Sequence, residues 1–126
     1  MAENEDANVP ATAASGTGVV LSELGEIPFD LTESSVFKAH FIPTTAQAQQ
    51  AAPNFAQLQI RDVTQANKVL ATLDYSVAPA LVAEQAQDFV LGASLSVKQG
   101  DVLDVYLNQN GTGGASPAGR VELEVE

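Results

Sequence analysis

From residue 35 onward, apolar residues fall at every second position in short runs, and turn-forming residues separate the runs. Strand side chains alternate between two faces, so this rhythm predicts half-buried strands. Residues 35–42 place Phe37, Ala39 and Phe41 on one side and Val36, Lys38, His40 and Ile42 on the other, until Pro43 stops the run. Residues 55–63 turn Ala56, Leu58 and Ile60 inward and Gln57, Gln59 and Arg61 outward. After a turn at 64–67, residues 68–77 put Val69, Ala71, Leu73, Tyr75 and Val77 on one face. These two runs read as a hairpin. Residues 89–97 alternate with Phe89, Leu91, Ala93, Leu95 and Val97 inward. A tight turn at 98–101 follows, with Gly100 placed to take a positive φ. Leu103, Val105 and Leu107 line the next strand. Beyond the turn-rich tract 108–119, Val121, Leu123 and Val125 alternate with Glu122, Glu124 and Glu126.

The earlier segments are less regular. Residues 19–24 form an apolar run that ends at Gly25. Residues 27–31 alternate through Ile27, Phe29 and Leu31, and Pro28 marks them as an edge strand because it has no N–H to donate to a ladder. Residues 44–53 are small and polar and predict a loop with at most one helical turn. Residues 78–88 predict a crossing segment or a short edge strand. Between Met1 and Val19 the only large apolar residue is Val9, so residues 1–18 predict a flexible acidic N-terminal arm. Such an arm is either a frayed terminus or a segment that orders on a partner. The expected architecture is all-β: an antiparallel β-sandwich of seven or eight strands, jelly-roll-like, over residues 19–126.

Composition narrows the function classes. A chain of 126 residues is one domain's worth, and such a domain buries about two-thirds of its unfolded surface. The absence of cysteine removes disulfides, zinc–thiolate sites and thiol catalysis. Five basic residues against sixteen acids give a net charge of −11. Phosphate recognition needs clustered cations, so neither nucleic acid nor an anionic membrane is an expected partner. All seven acids before residue 34 lie in a region without a base. The acidic N-terminus has no basic and apolar leader pattern, and the apolar runs are too short for a membrane-spanning helix. With no tryptophan, two tyrosines and five phenylalanines, the core must be mostly Val, Leu, Ile and Ala.

Each candidate for chemistry has a plainer explanation. His40 is the only imidazole base; a triad needs it beside a presented serine and an orienting acid, and no Gly-x-Ser-x-Gly turn exists. Asp101 and Asp104 are three apart on a strand and face opposite sides, which does not suit a glycosidase pair. Glu122, Glu124 and Glu126 share a face that reads as solvated. No Asp-x-Asp-x-Asp loop is present for calcium; Asp101 with loop 108–114 is the nearest approach to a cation site. Asn110-Gly111-Thr112 fits a glycosylation sequon but reads as a turn. Gly111, Gly113 and Gly114 lack the lysine and helix of a phosphate loop. The Gln/Ala tract 46–52 is either a solvent loop or an intersubunit contact. The expectation is a non-enzymatic protein with no catalytic, cofactor-binding or metal-binding residue.

A further set of residues carries a resemblance. In order these are Phe41-Ile-Pro43, a small-residue loop, Asn54-Phe55 opening a strand, Val69-Leu-Ala71, Val97-Lys-Gln-Gly-Asp-Val-Leu103, Gly111-Thr-Gly113 with Pro117, and the terminal Val-Glu-Leu-Glu-Val. Over residues 35–126 the chain resembles small β-sandwich proteins of tailed bacteriophages, found as head decoration, minor capsid or head-fibre proteins. It departs from them at the middle hairpin, where Thr64-Gln-Ala-Asn67 stands in place of a Gly-rich turn. The resemblance implies a virion structural protein, made in the host cytoplasm, that binds the outer capsid surface and stabilises it. It also implies a homotrimer seated on the major capsid protein lattice. The acids of the arm are then expected to pair with basic spots on that lattice. The alternative is a head-fibre or tail-associated module that binds host-surface carbohydrate, for which Tyr75 and Tyr106 are the candidate platforms.

Overall fold

The computed structural model describes residues 3–27, 30, 37–93 and 95–125. Among the described residues there are nine strands: β1 (Glu3–Val9), β2 (Val19–Glu26), β3 (Phe37–Pro43), β4 (Phe55–Asp62), β5 (Lys68–Asp74), β6 (Gln87–Asp88), β7 (Val90–Leu91), β8 (Val102–Asn110) and β9 (Gly119–Val125). No helix occurs among the described residues. The strands form two antiparallel sheets, in the orders β1-β9-β3-β6 and β2-β8-β4-β5-β7. Apart from the β4–β5 hairpin, successive strands from β1 to β6 thus lie in opposing sheets, and β8 and β9 each insert between two strands of one sheet. That interleaving is a jelly roll, with β7 added at one edge.

The core lies between the sheets and is built from the inward half of each alternating run. Phe41, Ala56, Leu58, Ile60, Leu103, Val105, Leu107, Val121 and Val125 are completely shielded from solvent. The period-two phase expected for residues 37–43, 55–62, 102–110 and 119–125 is the phase observed. Gly119 faces Phe41 and the Ile42 carbonyl so closely that no Cβ fits, which lets β3 and β9 pack at their shared end. Gly100 takes φ 90° and closes the 98–101 turn, with the Asp101 N–H donating to the Lys98 carbonyl.

Four expectations need correction. Residues 3–9 are not a flexible arm. They form β1, which pairs with β9 in unbroken register from Glu3↔Val125 to Val9↔Gly119. The main-chain ladder supplies what apolar content does not, and Val9 is buried beneath it. Gly25 does not end the second strand; β2 continues through it in a bulged register. In β5 a bulge opposite Ile60 and Arg61 resets the phase. Leu70 therefore turns inward and Val69 is left exposed, as a one-residue slip requires. Residues 89–97 are not one continuous strand. Asp88 pairs with His40 in the first sheet and Val90 with Thr72 in the second, so the chain changes sheets at Phe89. Phe89 and Val97 are buried as expected, whereas Leu91 is exposed.

Of the predicted edge strand at 27–31, Ile27 is buried; Pro28, Phe29 and Leu31 lie outside the described residues. The 44–53 loop contains no helix, and residues 78–88 do cross between strands, with a Gln47↔Leu81 bridge on the way to β6.

Candidate functional site

The outer face of the four-stranded sheet gathers the chain's only histidine with carboxylates from three other strands. Pairing places Asp6 opposite Glu122, Glu122 opposite His40, and His40 opposite Asp88. One row therefore crosses β1, β9, β3 and β6. His40 Nε2 lies 2.6 Å from Glu122 Oε1, and Arg120 Nε donates to Glu122 Oε2 at 2.8 Å. The His40 hydrogen bond, with the charge of Arg120, holds the Glu122 carboxyl below its ordinary range. A shallow concavity of about 370 Å³ lies over this row, bordered by Asp6, Lys38, His40, Glu122 and Glu124. It offers carboxylates to a cationic group, but no hydroxyl or thiol nucleophile lines it. Glu122 and Glu124 do lie on the solvent side of β9, and Glu126 lies outside the described residues.

The outer face of the five-stranded sheet is knitted together by its own polar groups. Arg61 donates to both oxygens of Asp104, at 3.0 and 2.8 Å, and its guanidinium stands 3.9 Å from the centroid of the Tyr106 ring. Asp104 is buried, so the pair is a shielded fork rather than a surface contact. Asn108 donates to Gln57, Gln57 to Asp74, and Ser76 to Asp74. Burial pushes the Asp74 carboxyl up, but these donors outweigh it and leave the carboxyl below its ordinary range.

Neither tyrosine is an open platform. Tyr75 is buried, its hydroxyl 2.7 Å from Ser116 Oγ, and burial pushes it up to about 12. Tyr106 has Arg61 over its ring and Gly18 against its hydroxyl.

A carboxyl pair sits at the end of the sandwich where β4 turns into β5. Asp62 is fully buried, and Gln65 Nε2 donates to Asp62 Oδ2 at 2.6 Å and to Asp101 Oδ2 at 2.8 Å. Burial, reinforced by a hydrogen bond to Asp101, raises Asp62 to about 6. The same bond lowers Asp101, which also accepts the Lys98 N–H. Gln65 thus ties the 62–65 turn to the 96–101 loop, with the two carboxyls side by side. Asp101 and Asp104 face opposite sides, as their spacing requires. Sequence reasoning missed Asp62 and Gln65; the local Asp-x-x-Gln spacing was visible, but Asp101 is brought in by the fold alone.

The remaining candidates serve backbone geometry. Gly111 takes φ 64°, and the Thr112 N–H donates to Asn54 Oδ1 at 2.9 Å, so 110–112 is a turn. In the Gln/Ala tract, Gln50 accepts from the Ala56 N–H and donates to the Ala115 carbonyl, and Gln49 donates to the Ser76 carbonyl. These amides are engaged within the chain. No group of three or more His, Asp or Glu able to hold a metal occurs among the described residues, and no described helix is long and apolar enough to cross a membrane.

No protein-family model matches the chain, and no curated protein matches it. Among solved structures, it is similar to a chain in the structure of infectious bursal disease virus Gx strain, with a TM-score of 0.45 and 10% sequence identity. The similarity covers 99% of this chain and 33% of the viral one, so this chain spans about a third of the length of the protein it matches.

Proposed function

We propose that this chain is a non-catalytic virion structural protein: a decoration protein that binds the outer surface of a tailed-phage capsid as a homotrimer and stabilises it. The observation that carries the reading is the jelly-roll interleaving of β1-β9-β3-β6 with β2-β8-β4-β5. Jelly rolls serve viral capsids, lectins and cupins, and the site must decide among them. A cupin keeps ligand groups inside its barrel, whereas this interior is filled by Phe41, Leu58, Ile60, Leu103 and Leu107. A carbohydrate platform needs an open aromatic face; here Tyr75 is buried and Tyr106 is capped by Arg61. The structural role fits the solvated acidic faces, which keep densely arrayed copies from aggregating. It also agrees with the sequence resemblance over residues 35–126.

Stabilisation would be additive, with each copy burying modest area while bridging neighbouring capsomers. Reconstructing virions from the culture that produces the chain tests this. A nine-stranded sandwich on the outer shell is the expected result, and virions without the chain overturn it. Light scattering tests the trimer separately: three times 13.1 kDa is expected, and a monomer at working concentration removes that part.

A further inference from the structure

We infer that residues 3–15 form an exchangeable arm, which a second copy of this chain binds in the seat its own arm occupies. The arm is attached along one continuous line. β1 pairs with β9 over seven residues. Beyond it, Thr12 and Ser116 exchange two N–H···O bonds of 2.8 Å. The Ser15 main chain then lies against Gly113, leaving no space for a Cβ. Val9 is the arm's only buried large apolar side chain, and Ala7 is partly buried beside it.

Two features favour release. Asp6 stands directly opposite Glu122, and like charges in that position oppose pairing. The arm ends at Gly16-Thr17-Gly18, two glycines in three residues, of which Gly16 and Thr17 are exposed.

A vacated seat would uncover the edge of β9 and its inward row of Val121, Leu123 and Val125. The strand that fits that register is β1, so a second copy is the matching occupant. Its arm makes the same contacts in trans that the resident arm makes in cis, the condition under which strand swapping costs little. The balance is then set by effective concentration against the concentration of copies. The inference needs only this chain and stands apart from the virion reading.

The chain has no cysteine, so an engineered pair reports cleanly. Asn8→Cys with Arg120→Cys puts thiols at directly opposed positions and leaves Asp6 and Glu122 in place. Full-length chains labelled with ¹⁴N and with ¹⁵N are refolded together at micromolar and at millimolar concentration and then oxidised. The disulfide-linked peptides spanning positions 8 and 120 are read by mass spectrometry. Mixed-isotope pairs that increase with concentration are expected. Linked pairs of a single isotope at every concentration overturn the inference. If that variant does not fold, Asn4→Cys with Glu124→Cys asks the same question at another directly opposed pair and again keeps Asp6 and Glu122.

Discussion

Replacing Asp62 by asparagine tests whether one proton is held between two buried carboxyls. Asp62 titrates near 6 in the fold against an ordinary value of 3.8. A folded value raised above the unfolded one means the fold binds the proton more tightly. Its contribution is complete below the unfolded value and is lost as pH rises through the folded value. At about 1.4 kcal/mol per pH unit, the loss between about pH 4 and pH 7 reaches at most ~3 kcal/mol. That is on the order of 10 °C in Tm for a domain of this size. Asp101 is lowered, so its contribution is present above 3.8 and disappears only as pH falls below that window. Asparagine at 62 supplies an amide donor toward Asp101 without needing a proton. The assay is urea unfolding of both chains from pH 4 to pH 8. The variant is expected to lose the decline that the wild type shows between about pH 4 and pH 7 and to be the more stable of the two above pH 7. A wild-type-minus-variant difference that stays constant across this range would refute the shared proton.

Other perturbations separate the forces that hold the sandwich. Arg61→Ala leaves the buried Asp104 carboxylate without its fork and is expected to cost about 3–5 kcal/mol in urea unfolding; Arg61→Lys should recover only part of it because an ammonium cannot grip both oxygens. Leu58→Ala empties a fully shielded position and should cost about 2–5 kcal/mol, read from the shift in denaturation midpoint. Gly119→Ala drives a Cβ into the Ile42 carbonyl and the Phe41 ring; a loss of about 1–3 kcal/mol is expected by the same assay. His40→Phe removes the first cause of the lowered Glu122 carboxyl, so that carboxyl should titrate closer to its ordinary range in a carbon-detected NMR titration.

The parts of the fold legible in the sequence are those where one face is buried and the other wet. β3, β4, β8 and β9 each have a core side and a solvent side, so their apolar residues carry the period-two signal. β1 escaped because it is an edge strand secured by main-chain pairing, with Val9 as its single large buried residue. The phase of β5 was misread at Val69 because a bulge is a local event without a compositional mark there. Residues 89–97 kept Phe89 and Val97 buried as expected, yet the change of sheet at Phe89 follows from pairing with β3 on one side and β5 on the other. For the same reason the outer row of Asp6, Glu122, His40 and Asp88 was not legible: its members come from four strands distant in sequence. His40 and Glu122 were each visible, but not their pairing across 82 residues.

The single stretch of chain around Phe89 belongs to both layers, and so it acts like the spine of a book. Tethered to β3 by Asp88 and to β5 by Val90, it keeps the two covers from sliding past each other along that side. The opposite margin, where β1 and β2 end their sheets, is joined by the longer link 10–18 instead of a single residue, and the covers should part there first. Amide hydrogens should therefore exchange with heavy water in a gradient across the width of the molecule, slowest near the binding and fastest along the fore-edge.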